Sequence, residues 1–270
     1  MTAPILLTGG TGTLGRLVTP LLTGAGRRVR VLSRGSHQPG DGVEYVTGDL
    51  ETGEGVGGVE AAVAGVETVV HCAGSAKGDE DKARRLVGTA ARAGVRHLVY
   101  ISVVGAERVP VVSGMDRAAF GYFAAKRAAE RVVADSGIPW TTLRAGQFHE
   151  LTLTVVAQLA KLPVIPYPAG QRFQPIDGRE VAVRLAELAL GDPAGLVPDI
   201  AGPRVHGMDE LIRSYLRAVG KRRPLLPVRM PGGAARAMRE GANLAPERAV
   251  GRRTWEEFLA ERVPVASPAR

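Results

Sequence analysis

Cysteine is nearly absent from this 270-residue chain. The single residue, Cys72, excludes an internal disulfide framework and any cysteine cluster for metal. It falls in the apolar run Val66–Ala73, so a buried, inert thiol is expected there rather than a nucleophile. Histidine is almost as scarce. The five histidines, at 37, 71, 97, 149 and 206, are scattered and show no ligand spacing such as H-E-x-x-H, so no metal is expected. Aromatic residues make up only 4%, too few to supply a row of base-stacking platforms. No segment approaches the ~18 apolar residues of a membrane span, so no membrane partner is expected. Met1-Thr2-Ala3-Pro4 carries no basic region of the secretory kind. The expected location is cytoplasmic.

Acidic residues are outnumbered, 27 to 35, leaving a net charge of +8. A nucleic-acid surface is one source of such a balance. The arginines, however, are spread along the chain, with short basic runs only at Arg27-Arg28, Lys221-Arg222-Arg223 and Arg252-Arg253. The expected partner is therefore a small anionic molecule and not a nucleic acid. A homodimer is compatible with everything in the sequence.

Glycine, by contrast, is concentrated in one informative place. Thr8-Gly9-Gly10-Thr11-Gly12-Thr13-Leu14-Gly15 follows the apolar run Ile5-Leu6-Leu7 and precedes Arg16-Leu17-Val18-Thr19-Pro20-Leu21-Leu22. A glycine-rich loop between a buried strand and a helix is the context of a dinucleotide site. Gly10, Gly12 and Gly15 fit G-x-G-x-x-G, and Gly9, Gly12 and Gly15 fit G-x-x-G-x-x-G. In either register glycine lets the backbone turn tightly and approach a pyrophosphate. The helix that follows offers unpaired N–H groups and the positive end of its dipole.

Short apolar runs then alternate with helical patterns, as in βαβ units with a parallel sheet. Strands are predicted at Ala3–Thr8, Val29–Ser33, Val43–Thr47, Thr68–Cys72, His97–Ser102 and Trp140–Arg144. Helices are predicted at Leu14–Thr23, Lys82–Ala93, Asp116–Asp135 and His149–Leu159, with Gly26, Gly94 and Gly137 as stop signals. Glu51–Gly65 is rich in glycine and should be a poor helix. Right-handed crossovers give a doubly wound α/β sheet of the Rossmann type, in order 3-2-1-4-5-6. Beyond Arg144 the rhythm changes. Pro163, Pro166 and Pro168 suggest turns, helices return at Arg179–Leu190, Met208–Val219 and Thr254–Arg262, and a last strand is expected near Leu196–Ala201. The residues from Pro264 on read as a frayed tail. The reading is one dinucleotide-binding domain over residues 1–270, to which roughly residues 147–270 contribute a small substrate lobe.

The second strand ends in Leu32-Ser33-Arg34, with no acid to hold a ribose 2′-hydroxyl. Ser33 and Arg34 offer a hydroxyl and a guanidinium fork, which suit a 2′-phosphate and point to NADP(H). Asp49 and Leu50 follow the third strand, where an adenine should lie. Ala73, Gly74 and Ser75 end the fourth, small enough for backbone to reach the cofactor.

With these pieces in place, the chain resembles the short-chain dehydrogenase/reductase superfamily, and within it the atypical, NmrA-like NAD(P)-binding branch. The likeness rests on the Thr8–Gly15 loop, Gly48-Asp49-Leu50, Ala73-Gly74 and Tyr100-Ile101-Ser102-Val103-Val104-Gly105. It continues in Tyr122-Phe123-Ala124-Ala125-Lys126 and in Trp140-Thr141-Thr142-Leu143-Arg144-Ala145-Gly146-Gln147-Phe148, covering roughly residues 3–190. The resemblance implies NADP(H) binding, with Gly146 and Phe148 beside the cofactor and a small lobe that holds the substrate. It also implies a working pair, Tyr122 and Lys126, at i and i+4 on one helix face. A nearby ammonium favours the phenolate, so the tyrosine can pass a proton, while the lysine holds the nicotinamide ribose. Ser102 is the serine the family would set beside the tyrosine. Val103 follows it where a second serine is usual, and Ala145 stands in place of a common proline. Gln147, Phe148 and His149 are candidate substrate contacts past the sixth strand, His149 as a proton relay or a helix-start residue at the cleft rim; Tyr167 and Phe173 are candidate pocket residues. The function expected is an NADPH-dependent reductase of a small carbonyl, enone or quinone. A non-enzymatic NADP-sensing regulator is the alternative, and a nucleotide-sugar epimerase or dehydratase fits less well.

Overall fold

Ile5-Leu6-Leu7-Thr8 has no polar face to turn toward water, and all four residues are buried at the centre of a parallel sheet. The computed structural model describes residues 2–52, 58–74 and 78–263. In chain order the elements are β1 (Ile5–Thr8), α1 (Gly15–Gly24), β2 (Val29–Ser33), β3 (Val43–Thr47), α2 (Gly58–Val63), β4 (Thr68–His71) and α3 (Asp79–Arg92). They continue with β5 (His97–Val103), α4 (Gly114–Ala134), β6 (Trp140–Ala145), α5 (His149–Leu159), β7 (Ile165–Pro168), β8 (Arg172–Phe173) and α6 (Gly178–Leu190). The last are β9 (Gly195–Leu196), β10 (His206–Gly207), α7 (Met208–Ala218), β11 (Leu225–Val228), α8 (Gly233–Glu240) and α9 (Trp255–Arg262).

The main sheet has the order β3-β2-β1-β4-β5-β6-β9, the expected doubly wound order extended by one edge strand. Register places Leu7 between Val31 and Val70, so apolar side chains stack across three neighbouring strands. Gly26, Gly94 and Gly137 follow α1, α3 and α4 with φ of +76°, +73° and +74°, a conformation that ends a helix and suits glycine alone.

The chain divides into two compact units. The first comprises Met1–Ser102, Gly121–Arg144 and Arg179–Pro198; the second comprises Val103–Phe120, Ala145–Gly178 and Asp199–Arg270. The first unit has an apolar cluster built on Leu6, Leu32, Val69, Leu86, Leu98 and Tyr100. The second has its own, built on Val156, Ile165, Leu211, Ile212, Trp255 and Phe258.

Four sequence expectations need correction. The glycine-rich stretch yields the short helix α2, because burial of Val59, Ala62 and Val63 outweighs the backbone entropy its glycines lose. The last strand is only Gly195–Leu196: Pro198 has no N–H to continue a ladder, and contact with the neighbouring strand resumes only as an isolated bridge between Ala145 and Ile200. The proline-marked turns contain β7, paired in parallel with β11. At the two ends of that pair Ile165 donates to Pro224 and Ala169 to Val228; Pro166 and Pro168 fall in the opposite phase, where no N–H is needed. Finally, α4 begins two residues before the expected Asp116. Ser113 caps it: the Asp116 N–H donates to the Ser113 hydroxyl at 3.0 Å and the Asp116 carboxylate accepts from the Ser113 N–H at 3.1 Å. The expected tail from residue 264 lies outside the described residues.

Candidate nucleotide site

The glycine loop separates into three glycines whose replacement would collide severely with the protein and one where the collision is slight. A Cβ on Gly9, whose φ is +71°, would stand 2.8 Å from the Ala73 nitrogen; on Gly10, 2.7 Å from Val31; on Gly15, 2.3 Å from the Gly9 carbonyl oxygen. Gly12 is different. Its Cβ would meet only the Gly9 oxygen, at 3.2 Å. Gly12 instead borders a cleft of about 590 Å³, together with Thr8, Gly9 and Thr11. Thr13 is exposed and Leu14 is buried at the start of α1, which no side chain caps among the described residues. The Arg16 N–H already donates to Gly12 at 3.1 Å and the Leu17 N–H to Leu14 at 2.9 Å, so what α1 offers an anion is chiefly the positive end of its dipole, and the volume beside Gly12 suits a pyrophosphate.

The other walls of the cleft include Leu32, Ser33 and Arg34 from the end of β2, Gly48, Asp49 and Leu50 after β3, and Cys72, Ala73 and Gly74 after β4. These are the positions expected from sequence, except that Ser75 lies outside the described residues. Ser33 is buried, its Oγ 2.9 Å from His37 Nε2, whereas Arg34 is exposed at the rim. An Asp49 carboxylate oxygen accepts from the Glu51 N–H at 2.8 Å and so turns the chain after β3. Burial pushes the Cys72 thiol up to about 12, so it stays protonated, as a structural cysteine should. His71, beneath the same strand end, is lowered to about 3 by burial and then by Lys126 and Lys82; its Nδ1 lies 2.7 Å from Thr8 Oγ1.

Tyr122 and Lys126 come from one face of α4, and Lys126 Nζ lies 5.7 Å from the centre of the Tyr122 ring. Tyr122 keeps 38% of its surface exposed, while Lys126 keeps 4%. The ammonium is 3.1 Å from Asp79 Oδ2, donates to the Ile101 carbonyl at 3.2 Å, and lies 5.0 Å from the Tyr100 ring centre. Burial would lower its pKa, but Tyr100, Tyr122 and Asp79 outweigh burial and hold it above the ordinary lysine value. Ser102 is committed elsewhere: its hydroxyl donates to Glu130 at 2.6 Å. Glu130 also receives two bonds from Arg144, both at 2.8 Å, in a bidentate buried pair. Burial would raise Glu130, yet the bonds from Arg144 and Ser102 keep it below the usual carboxylate range.

Asp79 and Glu130 lie outside the quoted motifs, as do Glu51 and Lys82 of the cleft wall, while Tyr100 and Arg144 fall inside motifs that gave them no role. Glu130 lies one turn beyond Lys126, a spacing that could have marked it; Asp79 reads only as one of three acids opening α3, and the fold alone brings it to Lys126.

Gly146 and Phe148 belong to the second unit. The Gly146 N–H donates to Ile200 at 2.8 Å, and Phe148 bridges to Ile176 just before α5. His149 begins α5 as expected, but its ring is fully buried, 5.8 Å from Trp255 and 5.1 Å from Phe258, and not at a rim. Tyr167 and Phe173, expected to line a pocket, pack against the second unit's apolar cluster.

A parallel sheet with a glycine-lined anion cleft at its strand ends defines a dinucleotide-binding protein. Comparison with known proteins agrees. Residues 9–161, more than half of the chain, match the NAD(P)H-binding family, and the chain belongs to that family. It is an NAD(P)H-binding, reductase-like protein. It is 32% identical over 222 residues, 80% of this chain and 74% of the relative, to the (4-alkanoyl-5-oxo-2,5-dihydrofuran-3-yl)methyl phosphate reductase of Streptomyces griseus. It is 26% identical to the NAD(P)H azoreductase of Xenophilus azovorans, over 90% of this chain and 87% of that one. Among solved structures, the NADPH-dependent quinone oxidoreductase of Escherichia coli in complex with NADPH aligns with a TM-score of 0.75 at 20% identity, covering 96% and 99% of the two chains. The Citrobacter triphenylmethane reductase complexed with NADP(H) gives 0.73 at 19% identity, covering 96% and 100%. Those two likenesses show the fold. No helix among the described residues is long and apolar enough to cross a membrane.

Proposed function

We propose that this protein is an NADPH-dependent reductase of a small carbonyl, enone or quinone substrate. The observation that carries the reading is the end of β2: Ser33 and the exposed Arg34 border the cleft, and no carboxylate follows them at that strand end. A 2′-phosphate would meet a cation there instead of a repelling acid. Gly12 would admit the pyrophosphate, and the positive end of the α1 dipole would favour it. When bound, NADPH supplies a hydride. Lys126 would hold the ribose, and Tyr122, one helical turn away, would give the proton; Ser102, with its hydrogen already donated to Glu130, would anchor β5 to α4. Reductase activity in the relatives from Streptomyces griseus and Xenophilus azovorans supports the reaction class. The single cysteine is in keeping with a reducing, cytoplasmic setting.

Competitive binding of NADPH and NADH tests the cofactor half. A charge-assisted contact contributes about 1.5–3 kcal/mol, so NADPH should bind about 10- to 100-fold more tightly than NADH. Arg34→Ala should erase most of that preference while leaving NADH nearly unchanged, and equal affinities in the wild type would refute the reading. NADPH oxidation on a panel of quinones, enones and aldehydes tests the chemical half, with turnover falling about 100-fold in Tyr122→Phe. Tight NADP(H) binding without any turnover on the panel would favour the regulator instead.

A further inference from the structure

Lys126 is held by a partner that no motif pairs with it. Asp79, the first residue of α3, is 1% exposed and sets its Oδ2 3.1 Å from Lys126 Nζ. The Ile101 carbonyl accepts from the same ammonium at 3.2 Å, and the Tyr100 ring lies on another side, 5.0 Å away. The ammonium is thereby pressed against the cleft wall. A Cβ on Gly74, which borders the cleft, would stand 2.8 Å from Nζ and 3.3 Å from Asp79 Oδ2. A lysine this deeply buried pays a desolvation cost, which normally favours the neutral amine. A lone amine on four flexible carbons would neither stay charged nor stay in place.

We propose that Asp79 is a positioning residue: it keeps Lys126 cationic and fixed against Gly74, directly behind the cleft wall at the ends of β4 and β5. The proposal rests on the reading of the cleft as an NADPH site. It assigns Asp79 no contact with the cofactor and no proton transfer. The groups facing Lys126 are Asp79 from α3, Tyr100 from β5, Tyr122 from its own α4, His71 from β4 and Cys72 just after it. His71 and Cys72 are neutral there, and Asp79 is the carboxylate among them. Removing its charge while keeping its shape should let burial prevail at Lys126.

The test uses Asp79→Asn and Asp79→Glu in the full chain. The chain has only five lysines, so a protein labelled at lysine 13Cε gives resolvable titrations without any cofactor. In the wild type the Lys126 signal should titrate above the ordinary lysine value. In Asp79→Asn it should fall by about 1–3 pH units, and Asp79→Glu should restore most of the difference. NADPH affinity should be flat from pH 7 to 10 in the wild type. In Asp79→Asn it should be weaker by about tenfold, the worth of one lost charged contact, and should weaken further as pH rises. A Lys126 titration that is the same in wild type and Asp79→Asn overturns the proposal. So does Asp79→Asn binding NADPH like wild type across the pH range while its melting temperature drops, which would make the pair a fold contact only. If the titration shifts as expected but the wild type does not bind NADPH, the positioning role stands and the functional reading falls.

Discussion

The first unit buries charge in matched pairs, whereas the second leans on rings and on a histidine held neutral. In the first, Glu130 with Arg144 and Lys126 with Asp79 are each almost fully enclosed. In the second, Trp255 stacks on Phe258 at 5.8 Å and the His149 ring meets both; His149 is lowered to about 4, by burial first, and the Glu150 carboxyl is raised by burial. Asp177 and Arg253, 3.3 Å apart, show that the second unit is not without ion pairs. The contrast is nevertheless physical. A buried pair fixes direction and charge, which a site for a charged ligand can use, but it fails badly when one member is removed. An aromatic cluster with a neutral histidine tolerates a change of partner better and acid worse.

The largest expected effect breaks the first side of that contrast. Glu130→Leu should destabilise the protein by about 3–5 kcal/mol, because the buried Arg144 guanidinium loses the carboxylate that takes two of its hydrogen bonds. The double variant Glu130→Leu with Arg144→Met should be more stable than Glu130→Leu alone. Urea unfolding of the two variants checks this, and a cost below about 1 kcal/mol for the single change would show the pair to be dispensable.

Acid probes the second side. His149 has a folded pKa of about 4 against an ordinary 6.5, so its contribution to stability is complete above pH 6.5 and is lost as pH falls toward 4. By pH 5 the loss should reach about 2 kcal/mol, at 1.36 kcal/mol per pH unit. Groups facing the ring include Asp177, His206 and Glu256. Glu150 works in the opposite sense, and His71 in the first unit in the same sense, so the variant and not the wild-type curve is the test. Unfolding at pH 7 and pH 5 should show His149→Gln losing less stability on acidification than wild type. Parallel pH slopes for the two proteins would remove His149 from the account.

The smallest expected effect sharpens the comparison at a helix end. Thr254 caps α9: the Glu257 N–H donates to the Thr254 hydroxyl at 3.2 Å and the Glu257 carboxylate accepts from the Thr254 N–H at 2.8 Å. Thr254→Ala should cost about 1 kcal/mol. A thermal melt in which the variant matches wild type would mean that the packing of Trp255 and Phe258, not the cap, starts that helix.

The parallel sheet was legible because each of its core strands is a short apolar run closed by glycine or a helical pattern, and because right-handed crossovers leave few orders open. The glycine loop, Arg34 and the Tyr122–Lys126 spacing were legible for a related reason: each is local in the chain. What was not legible depends on residues far apart meeting. The β7–β11 pair hides its strands behind prolines that are harmless only in the phase the partner strand imposes. Asp79 and Lys126 lie 47 positions apart, and nothing in either neighbourhood names the other. His149 sits at a helix start, which suggests a rim, and only α9 folding over it makes it core.

The glycine loop carries one more consequence, for how this chain can drift under mutation. Gly9, Gly10 and Gly15 are held by collisions inside the protein, so selection for folding alone would retain them. Gly12 has a milder internal constraint, a Cβ contact of 3.2 Å with the Gly9 oxygen, and otherwise answers to whatever occupies the cleft. A library of variants sorted first for soluble expression and then for nucleotide retention should therefore split the loop: substitutions at 9, 10 and 15 vanish in the first sort, while alanine at 12 survives it and disappears in the second. A descendant that gave up its cofactor would show the loss first at that one position.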